Sequence, residues 1–67
     1  MKFIELNTFI KLKCLATTGG QAKILIRSGA VKVNGEIETR NKKKLVSGDK
    51  IEVNGKVFVL KEEEIKG

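Results

Sequence analysis

The stretch TGGQAKILIRSGAVKVNGEIETRNKKK, residues 18–44, predicts a capped helix, a tight hairpin and a run of basic residues. Thr18 and Gln21 have the spacing of a capping box, in which each side chain satisfies the other residue's backbone N–H. The residues that follow place apolar side chains at i, i+3, i+4 and i+7, which is the pattern of a buried helical stripe: Ala22, Leu25, Ile26 and Gly29. We therefore expect a helix that begins at Thr18 and has Gly29 as its C-cap.

The same helix carries two cations on another side. Lys23 and Arg27 are four residues apart, which makes them neighbours on a helix surface. No acidic residue lies close to them in the sequence. This pair is the first indication of a face that binds anions.

A hairpin follows the helix. The alternation of residues 31–33 predicts a strand whose two valines point to the same side. Asn34-Gly35 is a favoured pair for a two-residue hairpin turn. We expect the chain to return over residues 36–40 with Ile37 facing inward, and residues 41–44 to form a polar loop.

The flanking segments complete an α+β domain. Residues 2–5 predict a short strand and residues 6–15 a helix, with Asn7 or Thr8 as its cap. Turns at 47–49 and at Asn54-Gly55 separate strands over 50–53 and 56–60. We expect two helices packed on a small antiparallel sheet of four to five strands, arranged as a meander. The first strand is expected to pair with the last, and residues 62–64 to form a solvated tail.

Charge is distributed unevenly along the 67 residues, which form a single domain. Residues 1–44 hold ten Lys or Arg against three Glu, a net +7, whereas residues 45–67 hold four against five acidic residues, a net −1. The formal net charge of +6 therefore belongs to the first two thirds of the chain. Such asymmetry favours one basic binding face.

This composition contains few residues of the types that usually carry out catalysis. The chain has no histidine, one cysteine and one aspartate, which excludes a zinc site built from several Cys or His ligands. Cys14 has no histidine partner and is interpreted as a buried structural thiol. Asp49 falls in a turn, and Glu36 and Glu38 are interpreted as solvated side chains on an exposed hairpin. We expect a protein that is not an enzyme and holds no metal or cofactor.

The sequence also predicts the cellular location of the protein. A single cysteine forms no intramolecular disulfide, which fits a reducing cytosol. Glu5 interrupts the short apolar N-terminus, so no signal peptide is predicted. No run approaches the roughly 20 apolar residues that span a membrane. We expect a cytoplasmic monomer without a membrane partner.

The basic residues predict a nucleic-acid partner. The chain has no Tyr or Trp, and its three Phe lie in apolar patterns, so the exposed aromatics that stack single-stranded bases are missing. What remains is recognition of phosphate geometry and shape, which is typical of structured RNA. The basic set comprises Lys11, Lys13, Lys23, Arg27, Lys32, Arg40, Lys42, Lys43 and Lys44.

Gly19-Gly20 has two interpretations. The glycines could let a phosphate approach the free N–H groups of a helix start. They could equally allow close packing of the two helices. A P-loop is excluded, because the Gly-Lys-Ser/Thr ending is missing.

Two other partners stay open at this point. Two helices joined by a glycine-bearing turn, with a hairpin behind them, also suggest a small winged-helix DNA-binding protein. The second helix offers few side chains that read bases, and Gln21 is its only amide. An interaction module that docks on an acidic protein surface is the other alternative.

The order of these features resembles the RNA-binding domain named after small-ribosomal-subunit protein four, the S-four domain. The resemblance covers residues 4–60 and is closest to the free-standing bacterial members. Each motif is weak alone, but the ordered set is specific: Leu6 with Phe9-Ile10-Lys11, Gly19-Gly20-x-Ala22-Lys23, Gly29-x-Val31-x-Val33-Asn34-Gly35, Glu38-x-Arg40, Lys44-Leu45 and Gly48-Asp49.

The resemblance implies an αL-type RNA-binding surface, in which two helices and the adjoining hairpin form a positive face. It implies a stand-alone binder of ribosomal or transfer RNA that serves ribosome assembly or translation, in contact with ribosomal particles. Relatives often have two arginines where this chain has Arg40-Asn41, which weakens the expectation of a bidentate phosphate contact there. With the glycines and the lysine run included, the predicted RNA-binding residues are Lys11, Gly19, Gly20, Lys23, Arg27, Lys32, Arg40, Lys42, Lys43 and Lys44.

Overall fold

The computed structural model describes residues 2–65 and confirms an α+β fold. Its two helices are α1 (Leu6–Leu12) and α2 (Gly19–Arg27). Its strands are β1 (Ile4–Glu5), β2 (Val31–Val33), β3 (Glu36–Ile37), β4 (Lys44–Leu45), β5 (Lys50–Val53) and β6 (Lys56–Val59). A 3-10 turn at Glu62–Glu64 follows the last strand.

The strands form two antiparallel sheets. The larger has the order β3-β2-β5-β6, and the smaller pairs β1 with β4. The predicted meander is therefore wrong after β3, because the chain leaves the larger sheet there and returns through β5. The predicted pairing of the first strand with the last is also wrong, since Ile4 lies opposite Leu45. Both side chains of this pair are buried, which explains why β1 joins β4.

Both Asn-Gly turns are confirmed. Asn34 and Gly35 have φ of 53° and 86°, and Asn54 and Gly55 have φ of 51° and 81°. Positive φ at both central residues is what a two-residue turn of type I′ requires. Each turn joins directly paired residues, so it fixes the register of its hairpin.

Helix α1 ends earlier than predicted. The Leu15 N–H donates to the Ile10 carbonyl and the Cys14 N–H to the Lys11 carbonyl, both at 3.0 Å. These two bonds form a Schellman motif, which places the residue after the C-cap in the left-handed region. Cys14 occupies that position with φ of 59°. Its side chain is exposed, so the prediction of a buried thiol is wrong.

The start of α1 is closed by a distant segment of the chain. Glu5 is the N-cap residue and makes no side-chain cap bond, so the predicted caps Asn7 and Thr8 are wrong. The Leu6 N–H instead donates to the Lys43 carbonyl at 2.8 Å, and the Asn7 N–H donates to the Asn41 carbonyl at 3.0 Å. Backbone carbonyls thus satisfy donors that a side chain usually satisfies at a helix start.

Helix α2 begins as predicted, with one change in its capping box. The Thr18 hydroxyl accepts a hydrogen bond from the Gln21 N–H at 3.1 Å. The Gln21 side-chain oxygen accepts from the N–H of Thr17 at 3.0 Å and from its hydroxyl at 2.6 Å, rather than from Thr18. At the other end the C-cap is Ser28, and Gly29 follows it with φ of 85°. Gly29, the predicted C-cap, therefore lies one position after the observed one.

The core lies between the helices and one side of the larger sheet. The rings of Phe9 and Phe58 meet edge to face, with centroids 6.3 Å apart. Such a pair adds to the stabilisation that burial of the rings provides. The buried hydrophobic residues form one cluster: Ile4, Leu6, Phe9, Ile10, Ala16, Ala22, Ile26, Val31, Val33, Leu45, Ile51, Val53, Leu60 and Ile65.

Two predictions about the hairpin and the tail are wrong. Ile37 is 61% exposed, because it lies opposite Lys32, on the side of β2 that faces away from the core. Residues 62–64 form a 3-10 turn rather than an unstructured tail, although Glu62 and Glu63 are solvated as predicted. Glu64 forms a salt bridge with Lys13, and Ile65 is buried in the core.

Candidate nucleic-acid interface

The outer side of α2 presents cations beside open backbone. Lys23 and Arg27 are exposed, whereas Ala22 and Ile26 on the opposite side are buried. A Cβ added to Gly19 would meet nothing within 4 Å. One added to Gly20 would meet only the Thr18 hydroxyl, at 3.8 Å. These glycines are therefore not required for close packing of the two helices. The N-terminus of α2 is sterically open to a ligand.

A second group of cations lies on the segment between β3 and β4. We call residues 40–44 the basic loop. Arg40, Lys42, Lys43 and Lys44 line one concave surface with a volume of about 390 Å³. The Lys44 ammonium also stands 5.0 Å from the centroid of the Phe3 ring, within the range of a cation–π contact. Because four cationic side chains border one concavity, the concavity suits an anionic group such as a phosphate.

The basic loop is held in place by its own backbone. Its carbonyls at Asn41 and Lys43 accept the first N–H groups of α1. The pairing of β4 with β1 continues this attachment, with Lys44 opposite Glu5. The loop therefore has a defined position relative to α1.

Glu38 orients Arg40 at the beginning of this loop. The Glu38 carboxylate accepts hydrogen bonds from Arg40 Nε at 2.9 Å, from Nη2 at 3.1 Å and from the Arg40 backbone N–H at 3.0 Å. The hydrogen bond from the Arg40 side chain is the main cause that lowers the pKa of Glu38 from 4.5 to about 2. The same contact raises the pKa of Arg40. Glu38 is thus ionised and engaged, which corrects its interpretation as merely solvated.

Arg40 keeps donors for a ligand despite this pairing. A guanidinium has five N–H donors, and Glu38 occupies one edge of it. The Arg40 side chain is 72% exposed, so the opposite edge of the guanidinium faces solvent. The pair can therefore hold the guanidinium in one orientation while the free edge contacts an anion.

The hairpin connects the basic loop with the end of α2. A second concavity, of about 260 Å³, is lined by hairpin residues together with Arg40 and Lys43. At the other side of the hairpin, a Cβ on Gly29 would lie 3.8 Å from Ile37 Cγ2. Gly29 follows Arg27 by two positions. The basic loop therefore adjoins the hairpin, and the hairpin lies beside the turn that follows α2.

Lys32 and Lys11 stand apart from the concavity of the basic loop. Lys32 is exposed on the outer side of the larger sheet, where its cross-strand neighbours are Ile37 and Glu52. Lys11 is exposed in the last turn of α1. Neither residue lines the concavity formed by the loop. Of the predicted set, the structure groups the four loop cations around one concavity and exposes Lys23 and Arg27 on the outer side of α2.

Lys13 belongs to the scaffold rather than to this surface. Its ammonium pairs with Glu64 and lies 5.7 Å from the centroid of the Phe9 ring. The hydrogen bond from Lys13 is the main cause that lowers the pKa of Glu64. This contact attaches the C-terminal turn to the end of α1.

Sequence reasoning missed two residues of this surface. Phe3 was interpreted as part of an apolar pattern, but it is 40% exposed beneath Lys44. Glu38 has the opposite charge to Arg40 and is separated from it by only one residue. Opposite charges two positions apart in an extended segment are a usable signal for such a pair.

Two further features of the described chain bear on the class of this site. Within residues 2–65, no group of three or more His, Cys, Asp or Glu side chains is placed to hold a metal ion. The helices of this part of the chain are too short and too polar to cross a membrane.

The chain is similar to known proteins. A family model described as "S4 domain" matches residues 1–61. The chain is 42% identical over 52 residues to the "Putative RNA-binding protein YbcJ" of Escherichia coli (strain K12). The aligned segment covers 78% of this chain and 74% of that protein. The "Uncharacterized protein YbcJ" of Shigella flexneri matches with the same identity and coverage.

Proposed function

We propose that this chain, which belongs to the S4 domain family, binds structured RNA without catalysing a reaction. S4 is the S-four domain whose motifs the sequence resembles. The similarity of this chain to the "Putative RNA-binding protein YbcJ" of Escherichia coli supports RNA as the partner. Ribosomal or transfer RNA is the proposed class. The chain would act in ribosome assembly or translation, as a cytoplasmic monomer that contacts ribosomal particles.

One observation carries this proposal: four cations of the basic loop surround a single concavity of about 390 Å³. Phosphate contacts by Lys and Arg provide most of the affinity of such proteins for nucleic acid. Arg40 and Lys43 also line the concavity of the hairpin, and Ile37 of the hairpin lies beside Gly29, in the turn that follows α2. An RNA backbone that follows this surface would place successive phosphates near both groups of cations.

The proposed contacts divide into three groups. Lys23 and Arg27 meet phosphates along α2, and Gly19 and Gly20 let the backbone approach the open start of that helix. The basic loop binds a phosphate in its concavity. Lys11 and Lys32 extend the contact at the rim. The complete set is Lys11, Gly19, Gly20, Lys23, Arg27, Lys32, Arg40, Lys42, Lys43 and Lys44.

Fluorescence anisotropy with labelled RNA tests the proposal. The probes are unfractionated transfer RNA and fragments of ribosomal RNA, titrated with the full chain in the presence of excess duplex DNA. We expect binding that survives the DNA competitor and weakens as salt rises. A variant with Lys42, Lys43 and Lys44 changed to Gln should lose affinity, whereas a matched variant with Lys50, Lys56 and Lys61 changed to Gln should bind much as the parent does.

The alternatives give different results in the same experiment. Displacement by duplex DNA would favour a winged-helix-like DNA-binding protein. Failure to bind any nucleic acid would favour a module that docks on an acidic protein surface. Crosslinking in cells, followed by sequencing of the bound RNA, would identify the RNA and test the assignment to ribosomal or transfer RNA.

A further inference from the structure

Ile24 is an apolar side chain at the centre of the basic side of α2. It is 70% exposed, more than the other large exposed hydrophobic residues of the described chain. A helix turns by about 100° per residue, which places Ile24 about 160° from both Ala22 and Ile26. Those two residues are fully buried. Ile24 therefore lies on the side of α2 that faces farthest from the core.

The neighbours of Ile24 on this side are cations and open backbone. By the same helical geometry, Arg27 lies about 60° from Ile24 and Gly20 about 40° from it. Lys23 precedes it directly and is also exposed. Two positive charges thus flank Ile24. Gly20 has no side chain and leaves the helix surface beside Ile24 uncovered.

A second exposed isoleucine extends the same surface. Ile37 is 61% exposed and lies beside the last turn of α2, near Gly29. Its cross-strand neighbour is Lys32. The two most exposed large hydrophobic residues of the described chain therefore both stand next to proposed RNA-binding cations.

The surrounding charge indicates the partner of this apolar surface. A partner of this surface must carry negative charges that match Lys23 and Arg27. Between those charges it must offer carbon-rich surface that contacts Ile24. Double-helical RNA does so in its minor groove, which is wide and shallow and displays sugars between two phosphate backbones. The minor groove of B-form DNA is only about 6 Å wide, too narrow for a helix about 10 Å across.

We propose that Ile24 packs against the minor-groove surface of double-helical RNA, between phosphates that Lys23 and Arg27 contact. The inference rests on the proposed function and assigns the type of RNA element that α2 meets. Ile24 contributes affinity through apolar contact, and the cations contribute through charge. These two contributions differ in their dependence on salt, because only phosphate neutralisation releases counterions.

The experiment compares an RNA stem-loop with the DNA stem-loop of the same sequence, each labelled and titrated at several salt concentrations. We expect Ile24→Ala to lower RNA affinity about fivefold, the effect of losing part of one buried apolar side chain. The slope of log affinity against log salt should stay unchanged. Affinity for the DNA stem-loop should not fall.

Two control variants make the result specific. Val57→Ala removes a side chain that is 59% exposed on the outer side of the sheet, opposite Glu52, and should leave RNA affinity unchanged. Arg27→Ala should change the salt slope. Ile24→Ala should melt no lower than the parent, since Ala has the higher helix propensity. If Ile24→Ala fails to fold, Ile24→Thr, which keeps the branched shape, provides the decisive measurement.

The outcomes separate this inference from the proposed function. Unchanged RNA affinity in folded Ile24→Ala would overturn the inference and leave RNA binding intact. An equal loss for RNA and DNA would overturn the assignment to the RNA minor groove. If the parent chain binds neither transfer RNA, ribosomal RNA nor the stem-loop, the proposed function fails and the inference fails with it.

Discussion

Glu38 accepts three hydrogen bonds from Arg40, one from the backbone N–H and two from the guanidinium. An acidic residue therefore lies at the edge of the basic surface and fixes the direction of one of its cations. If only charge matters, removal of Glu38 should strengthen anion binding. If the orientation of Arg40 matters, removal of Glu38 should weaken it.

We expect Glu38→Ala to weaken RNA binding about two- to threefold, the size of effect associated with a partly exposed ion pair. Removal of a negative charge by itself would strengthen binding. The control is Glu36→Ala, because Glu36 is exposed on the same hairpin and forms no salt bridge within the described residues. Glu36→Ala should leave affinity unchanged or raise it. A gain of affinity in Glu38→Ala would show that orientation of Arg40 is unimportant.

The lowered pKa of Glu38 predicts a specific dependence of stability on pH. Its pKa is about 2 in the folded chain, against 4.5 for an unperturbed glutamate. The ionised form is thus favoured by folding, so its stabilising contribution is complete above pH 4.5 and disappears as the pH falls towards 2. Thermal unfolding of the parent and of Glu38→Gln should differ at neutral pH and converge in acid. A difference that stays constant over that range would argue against the ion pair.

Arg27 should contribute to binding and little to stability. We expect Arg27→Ala to weaken RNA binding by about 1–3 kcal/mol, the range for a hydrogen bond to a charged group. The salt slope should become smaller by roughly 0.7–0.9, the contribution of one phosphate. The melting temperature should stay nearly unchanged, because Arg27 is exposed. A large shift in unfolding with normal binding would mean that this face was assigned wrongly.

The hairpin turn tests whether the position of Lys32 and Arg40 matters. Gly35 has φ of 86°, a conformation that is costly for a branched residue. Gly35→Val should disturb the hairpin and lower RNA affinity, although no charge is removed. The matched control is Gly55→Val, because Gly55 has φ of 81° in an equivalent turn and a Cβ there would also meet open space.

Both turn variants should lose similar stability, but only Gly35→Val should lose RNA affinity. Binding is measured at a temperature at which circular dichroism shows that both variants are folded. Normal affinity in folded Gly35→Val would mean that the hairpin is only scaffold and that the helices and the basic loop carry the contact.

Cys14 stands where a glycine would be more stable. Its φ of 59° places a side chain in the left-handed region, which costs about 1–2 kcal/mol for a residue with a Cβ. Glycine removes that cost but loses about 0.5–1 kcal/mol through its greater freedom when unfolded. We expect Cys14→Gly to stabilise the fold by about 0.5 kcal/mol, or about 2–4 °C in a domain of this size. Cys14→Ala keeps the Cβ and should give no such gain.

Local signals in the sequence predicted much of this fold. The Thr18 cap depends on a residue only three positions away, and each Asn-Gly turn depends on two consecutive residues. Both features can therefore be identified from neighbouring residues alone. The alternation of Val31 and Val33 likewise predicted which side of β2 is buried. These features require no knowledge of what the segment packs against.

The features that were missed depend on distant partners. Strands β1, β3 and β4 have two residues each, too few for a periodic pattern, so neither the pairing of β1 with β4 nor the exposure of Ile37 could be predicted. Helix α1 ended at Leu12 because a Schellman motif formed with a cysteine in place of the usual glycine. For the candidate site, the sequence predicted the identity of the cations, whereas the concavity of the basic loop results from its attachment to α1.

That attachment has a consequence for the time at which the surface forms. The bond between Leu6 and Lys43 joins residues that are 37 positions apart, so the basic loop has no fixed shape until the chain has closed this long segment. Such non-local contacts form late compared with helices and turns. On a translating ribosome, a nascent chain would carry all the cations up to Lys44 before it could present them in order. An ordered basic loop is then available only to chains in which residues 6 and 43 have come together.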